Sequence, residues 1–196
     1  GVQTCALPIL EQAPGSRYGH TSVVSGWGLV RQEPVILQSQ GQASTALRGL
    51  QWVEGREIAD THSLVHFGGP QGKLDQLHKV VAQEEGRSVF NGCIEVPRLA
   101  QGTDASQLSR NLLLSERARI DTKPELQIVA DDVRCTHGAT ISRLQQDELF
   151  YLQSRGIAAP QAARLLLRGF CEEVLAELPE AAQVWNPLAT SLAEVR

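Results

Sequence analysis

The chain contains no methionine, not even at position 1, so we expect a processed product or a fragment of a longer protein. No apolar run is long enough to span a membrane. Residues 1–10 have no basic segment and contain Pro8, which argues against a secretory signal peptide. They resemble translated adapter sequence, and we expect them to be non-native or disordered.

Cysteine is sparse, and basic residues do not cluster. The four cysteines are widely scattered and form no Cys-x-x-Cys pair, which argues against a disulfide-stapled secreted domain. We expect a reducing compartment: the cytoplasm, or the plastid stroma in a plastid-bearing host. The net charge of -4 and the absence of a Lys/Arg block argue against nucleic-acid binding.

The first two thirds of the chain predicts a series of short strands. Apolar and polar residues alternate over stretches that Gly, Asn and Asp separate, with no helical pattern between them. The predicted strands cover residues 22–30, 44–53, 57–67, 76–83, 88–96, 107–115 and 118–130. This spacing predicts a sandwich, a barrel or a β-solenoid, and a loose recurrence of glycine before apolar-polar-apolar triplets favours the solenoid.

From residue 145 the hydrophobic period becomes helical. Acidic residues precede an apolar stretch that Gly156 ends, and Pro160 suits the first turn of a second helix. An apolar stripe follows at helical spacing, formed by Ala163, Leu166, Leu167, Phe170, Val174, Leu175 and Leu178. A last short helix is predicted over residues 186–195. The chain therefore divides into a β segment, residues 11–144, and a helical segment, residues 145–196.

The glycine-rich segment that begins at Gly68 is the nearest approach to a nucleotide-binding motif. A phosphate-binding loop needs four residues between its glycines and a Ser or Thr after its lysine. Here three residues separate Gly68 from Gly72, and Leu74 follows Lys73. The segment therefore predicts a turn between strands, and we expect this chain to bind no ATP.

The other histidines and cysteines predict structural roles. His62 and His66 are four residues apart and share a face of a strand, but no carboxylate or cysteine stands at ligand spacing nearby. We predict an exposed or hydrogen-bonded pair in preference to a metal site. Cys93 and Cys171 are predicted to be small core residues.

The strongest candidate for chemistry is the pair Cys135 and His137. In a strand these residues lie on the same face, which places a thiol beside an imidazole. Two ligands do not close a metal site, so any others must come from elsewhere, including a partner chain. Taken alone, the pair also fits a buried cysteine beside a surface histidine.

Several ordered blocks resemble the SufB/SufD family of iron–sulfur cluster assembly scaffolds. They are Val-Phe-Asn-Gly from 89, Ser-Arg-Asn-Leu-Leu-Leu-Ser from 109, Ile-Asp-Thr-Lys-Pro from 120, Ala-Asp-Asp-Val from 130, Cys-Thr-His-Gly-Ala-Thr from 135 and Leu-Phe-Tyr-Leu-Gln-Ser-Arg-Gly-Ile from 149. The block at residues 131–140 favours the SufD branch of the family. The family's N-terminal helical domain and early β-helix turns have no counterpart here.

The resemblance implies a fold, partners and site residues. The implied fold is a right-handed parallel β-helix followed by a small C-terminal helical domain. The implied partners are a SufB-like subunit, paired through the β-helix cores, and the SufC ATPase, docked on the helices. His137 and, with less support, Cys135 are implied to contribute to a transient iron–sulfur cluster shared with SufB. We expect Phe150, Tyr151 and Arg155 to contribute to ATPase docking.

The expected function is therefore that of a scaffold subunit, not of an enzyme. One alternative is a structural solenoid that only pairs with another chain and has no metal chemistry. A second is a carbohydrate-active β-helix enzyme, which would need paired carboxylates on one solenoid face, and none is evident in the sequence.

Overall fold

The computed structural model describes residues 3–184, 186 and 188–194, and in this part of the chain a series of strands precedes a few helices. The strands are β1 (Gln3–Ala6), β2 (Ile9–Glu11), β3 (Arg17–Val24), β4 (Leu29–Gln32), β5 (Val35–Gln38), β6 (Ser44–Val53), β7 (Ile58–Phe67), β8 (Lys73–Ala82), β9 (Arg87–Val96), β10 (Asp104–Leu113), β11 (Arg119–Ile128) and β12 (Arg134–Ser142). The helices are α1 (Gln146–Ser154), α2 (Ala159–Leu175), α3 (Glu180–Gln183) and α4 (Ala189–Glu194).

The strands form two parallel sheets that the chain visits in turn. The first sheet contains β1, β4, β7, β9 and β11, with β2 and β5 continuing it beside β7. The second sheet runs in the order β12-β10-β8-β6-β3. Its register aligns Ser44, Lys73, Asp104 and Arg134, so one coil takes about 30 residues, within the range of solenoid repeats. The predicted β-solenoid is confirmed.

Alternation along each strand sends every second side chain into the solenoid. Apolar residues fill its two sides, with Val65, Phe67 and Ile94 at one side and Val53 and Val80 at the other. Polar side chains bridge the sheets between these clusters and pair with one another. Buried polar groups are tolerated in the core because they satisfy one another in this way.

Three such bridges connect the two sheets through buried amides. Gln51 donates to Thr61 at 2.8 Å, and Ser88 donates to Gln51 at 2.5 Å. Gln38 donates to Thr45 at 2.9 Å. These contacts join residues of the two sheets across the interior, where each hydrogen bond is stronger than it would be in water.

The glycine-rich segment at residues 68–72 is a turn between β7 and β8, as predicted. It stacks tightly on the preceding coil, because a side chain at Gly69 would lie 2.4 Å from the carbonyl carbon of Gln40. Glycine is needed at both levels of the stack: Gly41 has a φ of 73°, and a Cβ there would lie 2.1 Å from the Pro70 oxygen.

The helical unit packs on the outer face of the second sheet. Leu167, Cys171 and Val174 of α2 are fully buried in one cluster with Trp52 and Val81 of the strands. Cys171 is thus the core residue that was predicted, and burial raises the pKa of its thiol to about 12. Among the helices of the described residues, none has the length and apolar character that a bilayer span requires.

A buried lysine fastens α2 to the sheet. Lys79 of β8 is 2% exposed, donates to the carbonyl oxygen of Phe170 at 2.7 Å and lies 4.4 Å from the centroid of that residue's ring. Its ammonium also pairs with the Glu173 carboxylate, and this hydrogen bond is the main reason that the pKa of Glu173 is lowered. Because a buried charge is costly without a partner, these contacts define how α2 sits.

Some local predictions were wrong. Residues 22–30 are not one strand: β3 ends at Val24, β4 begins at Leu29, and Gly26 turns the chain between them with a φ of 77°. Cys93 is not a core residue, because Ser88, Phe90 and Ile94 occupy the inward positions of β9 and leave Cys93 half-buried on the outer face.

The two ends of the chain also differ in detail from the sequence prediction. The segment expected to be disordered contains two short strands, β1 and β2, which pair with β4 and β5. The last helix lies within the predicted range, whereas Pro187 and Val195, which belonged to that prediction, lie outside the described residues.

Candidate functional site

The pair Cys135 and His137 lies at one end of the solenoid. Both residues belong to β12, which within the described chain pairs only with β10 and leaves its other edge free. Together with β11, the corresponding edge of the first sheet, β12 bounds what we call the open end of the solenoid. Cys135 pairs in register with buried Ala105, and His137 with buried Gln107, so both occupy inward positions of this last coil.

Cys135 is half-buried and continues the apolar interior. It packs against the core cluster that contains Leu74 and Ala105. Burial raises the pKa of its thiol, an effect that Asp104 reinforces and a hydrogen bond from the Ala105 backbone opposes. In the isolated chain Cys135 is therefore a neutral thiol at physiological pH, and it becomes a metal ligand only after losing its proton.

His137 is exposed at the same end. Among the described residues, no group forms a hydrogen bond or ion pair with its imidazole. It lies two residues from Cys135, a backbone separation of about 7 Å in a strand. An accessible imidazole of this kind can bind iron or exchange a proton with an approaching group.

The thiol of Cys135 and the imidazole of His137 are donor types that iron accepts, but two donors are too few to hold a metal ion. Thiolate sulfur and imidazole nitrogen are the ligands of iron–sulfur clusters. Within the described part of the chain, no group of three or more His, Cys, Asp or Glu side chains is arranged to hold a metal ion. Any metal at this end would therefore need ligands from outside the chain.

The two edges of the open end differ in their protection against pairing with another strand. β11 carries Pro124 and four charged residues, Arg119, Asp121, Lys123 and Glu125, and such residues block pairing at an edge. β12 carries a single formal charge, Arg134, in its nine residues. The edge that holds Cys135 and His137 is therefore the one suited to pair with another chain.

Comparison with known proteins identifies the family of this chain. The family model described as "SUF system FeS cluster assembly, SufBD core domain" matches residues 8–170. The chain belongs to the SufBD family. The resemblance of the sequence blocks to this family is thereby confirmed.

Individual SufBD relatives are similar over most of the chain. An iron-sulfur cluster assembly SufBD family protein of Synechocystis is 44% identical over 90% of this chain. Protein ABCI7, chloroplastic, of Arabidopsis thaliana is 41% identical over 87%, and the iron-sulfur cluster assembly protein SufD of Escherichia coli is 38% identical over 85%. The chain spans 39%, 36% and 39% of the lengths of these three relatives.

A second exposed feature of this SufBD chain lies on its first helix. Phe150 is 71% exposed and Tyr151 is 58% exposed, and the guanidinium of Arg155 lies 5.3 Å from the centroid of the Tyr151 ring. No residue of α1 is buried. Exposed aromatic and arginine side chains are typical of the energetic centres of protein interfaces. Of the three residues predicted from the sequence to dock a partner, Tyr151 and Arg155 lie against each other, and Phe150 is exposed beside Tyr151 in the chain.

His62 and His66 lie on the outer face of the first sheet, away from the interior positions that Cys135 and His137 occupy. His62 faces Asp60 at 2.8 Å, and His66 faces Glu95 at 2.8 Å. The two imidazoles thus pair with different carboxylates, as expected for a structural pair on a strand. The prediction that no carboxylate stands near them was wrong, because Asp60 lies two residues before His62 on the same face. Glu95 comes from a neighbouring coil, so sequence spacing did not reveal it.

Sequence reasoning missed one buried histidine. His78 is 3% exposed, stacks on Phe90 with centroids 4.2 Å apart, and has no hydrogen-bond partner for Nε2 among the described residues. Burial lowers its pKa to about 3. The inward position of residue 78 in a strand was the only available signal, because Gln76 and Val80 share its face.

Proposed function

We propose that this chain is a SufD-like scaffold subunit of iron–sulfur cluster assembly and not itself an enzyme. In this proposal it pairs with a SufB-like subunit, and a nascent cluster forms at their shared interface. The observation that carries the proposal is the position of a thiol and an exposed imidazole on the unprotected edge of the open end. Membership of the SufBD family supports it.

The interface would be built by strand pairing. β12 offers the unpaired backbone groups of one edge over nine residues, with only Arg134 charged. A partner strand laid on this edge would continue the second sheet and satisfy those groups. It would also bring its own side chains over Cys135 and His137, where additional ligands are needed.

The two candidate ligands would have different roles. His137 is accessible, so its imidazole would bind iron directly or handle a proton as the cluster forms. Cys135 is the weaker candidate, because burial favours its neutral thiol. The cluster is cargo in this scheme: it is built at the interface and passed on.

The energy source would be a separate subunit. The sequence contains no phosphate-binding loop, and the segment closest to one is a tight turn. We propose that a SufC-like ATPase docks on the helical unit, with Phe150, Tyr151 and Arg155 in the contact. ATP hydrolysis by that partner would rearrange the interface and expose His137 to iron and sulfide, in the cytoplasm or in a plastid stroma.

Replacing His137 with alanine tests the cluster-building proposal. The chain is reconstituted with cognate SufB-like and SufC-like subunits, and cluster formation is followed by visible absorption and Mössbauer spectroscopy. We expect His137→Ala to reduce cluster formation at least tenfold while the three subunits still co-purify. The control is His62→Ala, which removes a partly exposed histidine from the outer face and should leave cluster formation unchanged.

Unchanged cluster formation by His137→Ala would contradict the proposal. Together with intact co-purification, that result would favour the alternative of a structural solenoid that pairs with another chain without metal chemistry. Loss of cluster formation in both variants would point to a general effect of histidine removal and would also count against a specific role for His137.

A further inference from the structure

A short ladder of two buried amides, Gln76 and Gln107, ends one coil before His137. In the second sheet, Leu47, Gln76, Gln107 and His137 occupy the same inward position of four successive coils. Gln76 is 4% exposed and Gln107 is 1% exposed. Neighbouring strands are about 4.8 Å apart, so amides stacked in this way bond from coil to coil.

The hydrogen bonds of the ladder have a defined direction. Gln107 donates from Nε2 to Oε1 of Gln76 at 2.9 Å, and Gln76 donates from Nε2 to the Ser63 hydroxyl at 2.8 Å. Each amide therefore donates toward the preceding coil and offers its carbonyl to the next one. For Gln107, the next coil is β12, and the residue in register there is His137.

The last carbonyl of the ladder lacks a donor. Oε1 of Gln107 is buried and has no hydrogen-bond partner among the described residues. A buried carbonyl without a donor is unfavourable, so a neighbouring N–H is expected to satisfy it. The amide occupies the space that the missing side chain of Gly92 on β9 leaves free, since an added Cβ there would lie 2.3 Å from Nε2 of Gln107.

We propose that Gln107 is a positioning residue for His137. A turn of the exposed imidazole toward the preceding coil would let Oε1 of Gln107, which has no donor among the described residues in the present side-chain arrangement, accept a hydrogen bond from one of its N–H groups. This contact selects one tautomer and leaves the other ring nitrogen unprotonated at the exposed end of the solenoid. A metal ligand needs such a nitrogen, and a hydrogen bond to the opposite ring nitrogen is the usual way to hold one in place. The benefit for cluster assembly rests on the function proposed above.

Nitrogen-15 NMR of histidine-labelled full chain tests this contact without a cluster or a partner. Spectra are recorded at about pH 8.5, where the imidazole of free histidine is neutral. The His137 signals are assigned by their loss in His137→Gln. We expect one dominant His137 tautomer in the wild type and a mixture of the two in Gln107→Met.

The matched control is Gln51→Met, which removes another fully buried glutamine from the same sheet. Gln51 bonds to Thr61 and Ser88 and has no part in the ladder. Its replacement should leave the His137 tautomer as in the wild type. A tautomer mixture in the wild type would overturn the proposal whether or not the variants fold. An unchanged spectrum in folded Gln107→Met, or an equal change in Gln51→Met, would overturn it as well.

The result is separable from that of the cluster-building experiment. A single tautomer that depends on Gln107, found together with normal cluster formation by His137→Ala, would keep the hydrogen bond and reject the proposed function. A tautomer mixture in the wild type, found together with lost cluster formation by His137→Ala, would reject the hydrogen bond and keep the proposed function.

Discussion

At the scale of single residues, the polar side chains in the interior of this solenoid mostly pair with one another, but buried atoms of Gln38, His78 and Gln107 have no hydrogen-bond partner among the described residues. His78 is the exception with the largest consequence. It is enclosed by Phe90 on one side and by Gly49 on the other, where an added Cβ would lie 2.4 Å from its Nδ1. Burial holds it neutral, and its pKa falls from 6.5 to about 3. Protonation would place an unpaired charge in the core.

The buried His78 predicts acid sensitivity. The folded-state pKa of about 3 lies below the unfolded value of 6.5, so the unfolded chain binds the proton first as pH falls. The contribution of His78 to stability is complete above pH 6.5 and is lost progressively down to pH 3, at up to about 1.4 kcal/mol per pH unit. Chemical denaturation of wild type and His78→Leu across this window measures it.

The comparison of the two proteins isolates His78 from the other titrating groups. His20 and Arg48 line the same small cavity as His78, and both remain in the variant. We expect the free energy of unfolding of His78→Leu to decline less steeply than that of the wild type below pH 6.5. Parallel curves for the two proteins would show that His78 is already charged or solvated in the fold.

At the scale of elements, the helical unit packs on the solenoid through α2 and leaves α1 exposed. α2 buries its apolar stripe on the second sheet and is fastened there by Lys79 and Glu173. α1 contributes no buried residue, yet it carries two large aromatic side chains. A helix whose large aromatic side chains face solvent while its neighbour is anchored is suited to contact another protein.

The exposed aromatic pair predicts a specific loss of ATPase binding. Phe150→Ser combined with Tyr151→Ser removes apolar area that a partner would bury, so we expect at least a tenfold weaker affinity for the SufC-like ATPase. Isothermal titration calorimetry measures it. The control is Leu99→Ser, which removes a side chain 75% exposed in a solenoid turn and should not change the affinity.

The fold of the double variant is checked by its circular dichroism. Because neither aromatic side chain is buried, its thermal unfolding should match that of the wild type. Unchanged ATPase affinity in the folded double variant would remove α1 from the docking surface.

At the scale of the whole molecule, the parallel stack gives each coil a partner on both sides except at the ends. At the open end, β11 carries proline and alternating charges, whereas β12 carries little protection. The exposed Ile141 adds apolar surface to this edge. An unprotected edge is a template for another strand, whether from a different subunit or from a second copy of the chain.

The unprotected β12 edge predicts concentration-dependent self-association of the isolated chain. Ile141→Lys places an inward charge on that edge, which opposes strand pairing, and we expect it to shift the chain toward monomer. Sedimentation velocity over a hundredfold range of concentration measures the effect. Ile58→Lys is the control, since Ile58 is exposed to a similar degree but lies on an internal strand.

A wild-type chain that stays monomeric throughout would contradict the prediction. Equal suppression of association by both lysine variants would indicate that net charge, and not the β12 edge, controls association.

The sequence predicted the repeating strands better than it predicted their faces. The strand at residues 44–53 was predicted with its observed bounds, yet its inward side chains include Thr45 and Gln51. Its outward side chains include Leu50 and Trp52, because α2 covers the outer face there.

The prediction of a single strand over residues 22–30 was wrong because Gly26 turns the chain between two apolar pairs that read as one stretch. The prediction that Cys93 is a core residue was wrong because the alternation of a strand separates two faces but does not say which of them points inward.

The chain alone determined the pairing of Cys135 with His137 on one face, the strand-to-helix transition and the family, because these depend on local spacing and on blocks of contiguous residues. Only the tertiary structure decided that this face belongs to the last coil, on an edge strand that no other strand of the described chain covers. It also decided that Gln107 stands in register with His137, that Lys79 reaches α2, and that His78 is buried. Gln107 and His137 are one coil apart, Lys79 and Phe170 are 91 positions apart, and His78 meets Phe90 from the next strand, so coil stacking and not local sequence brings these residues together.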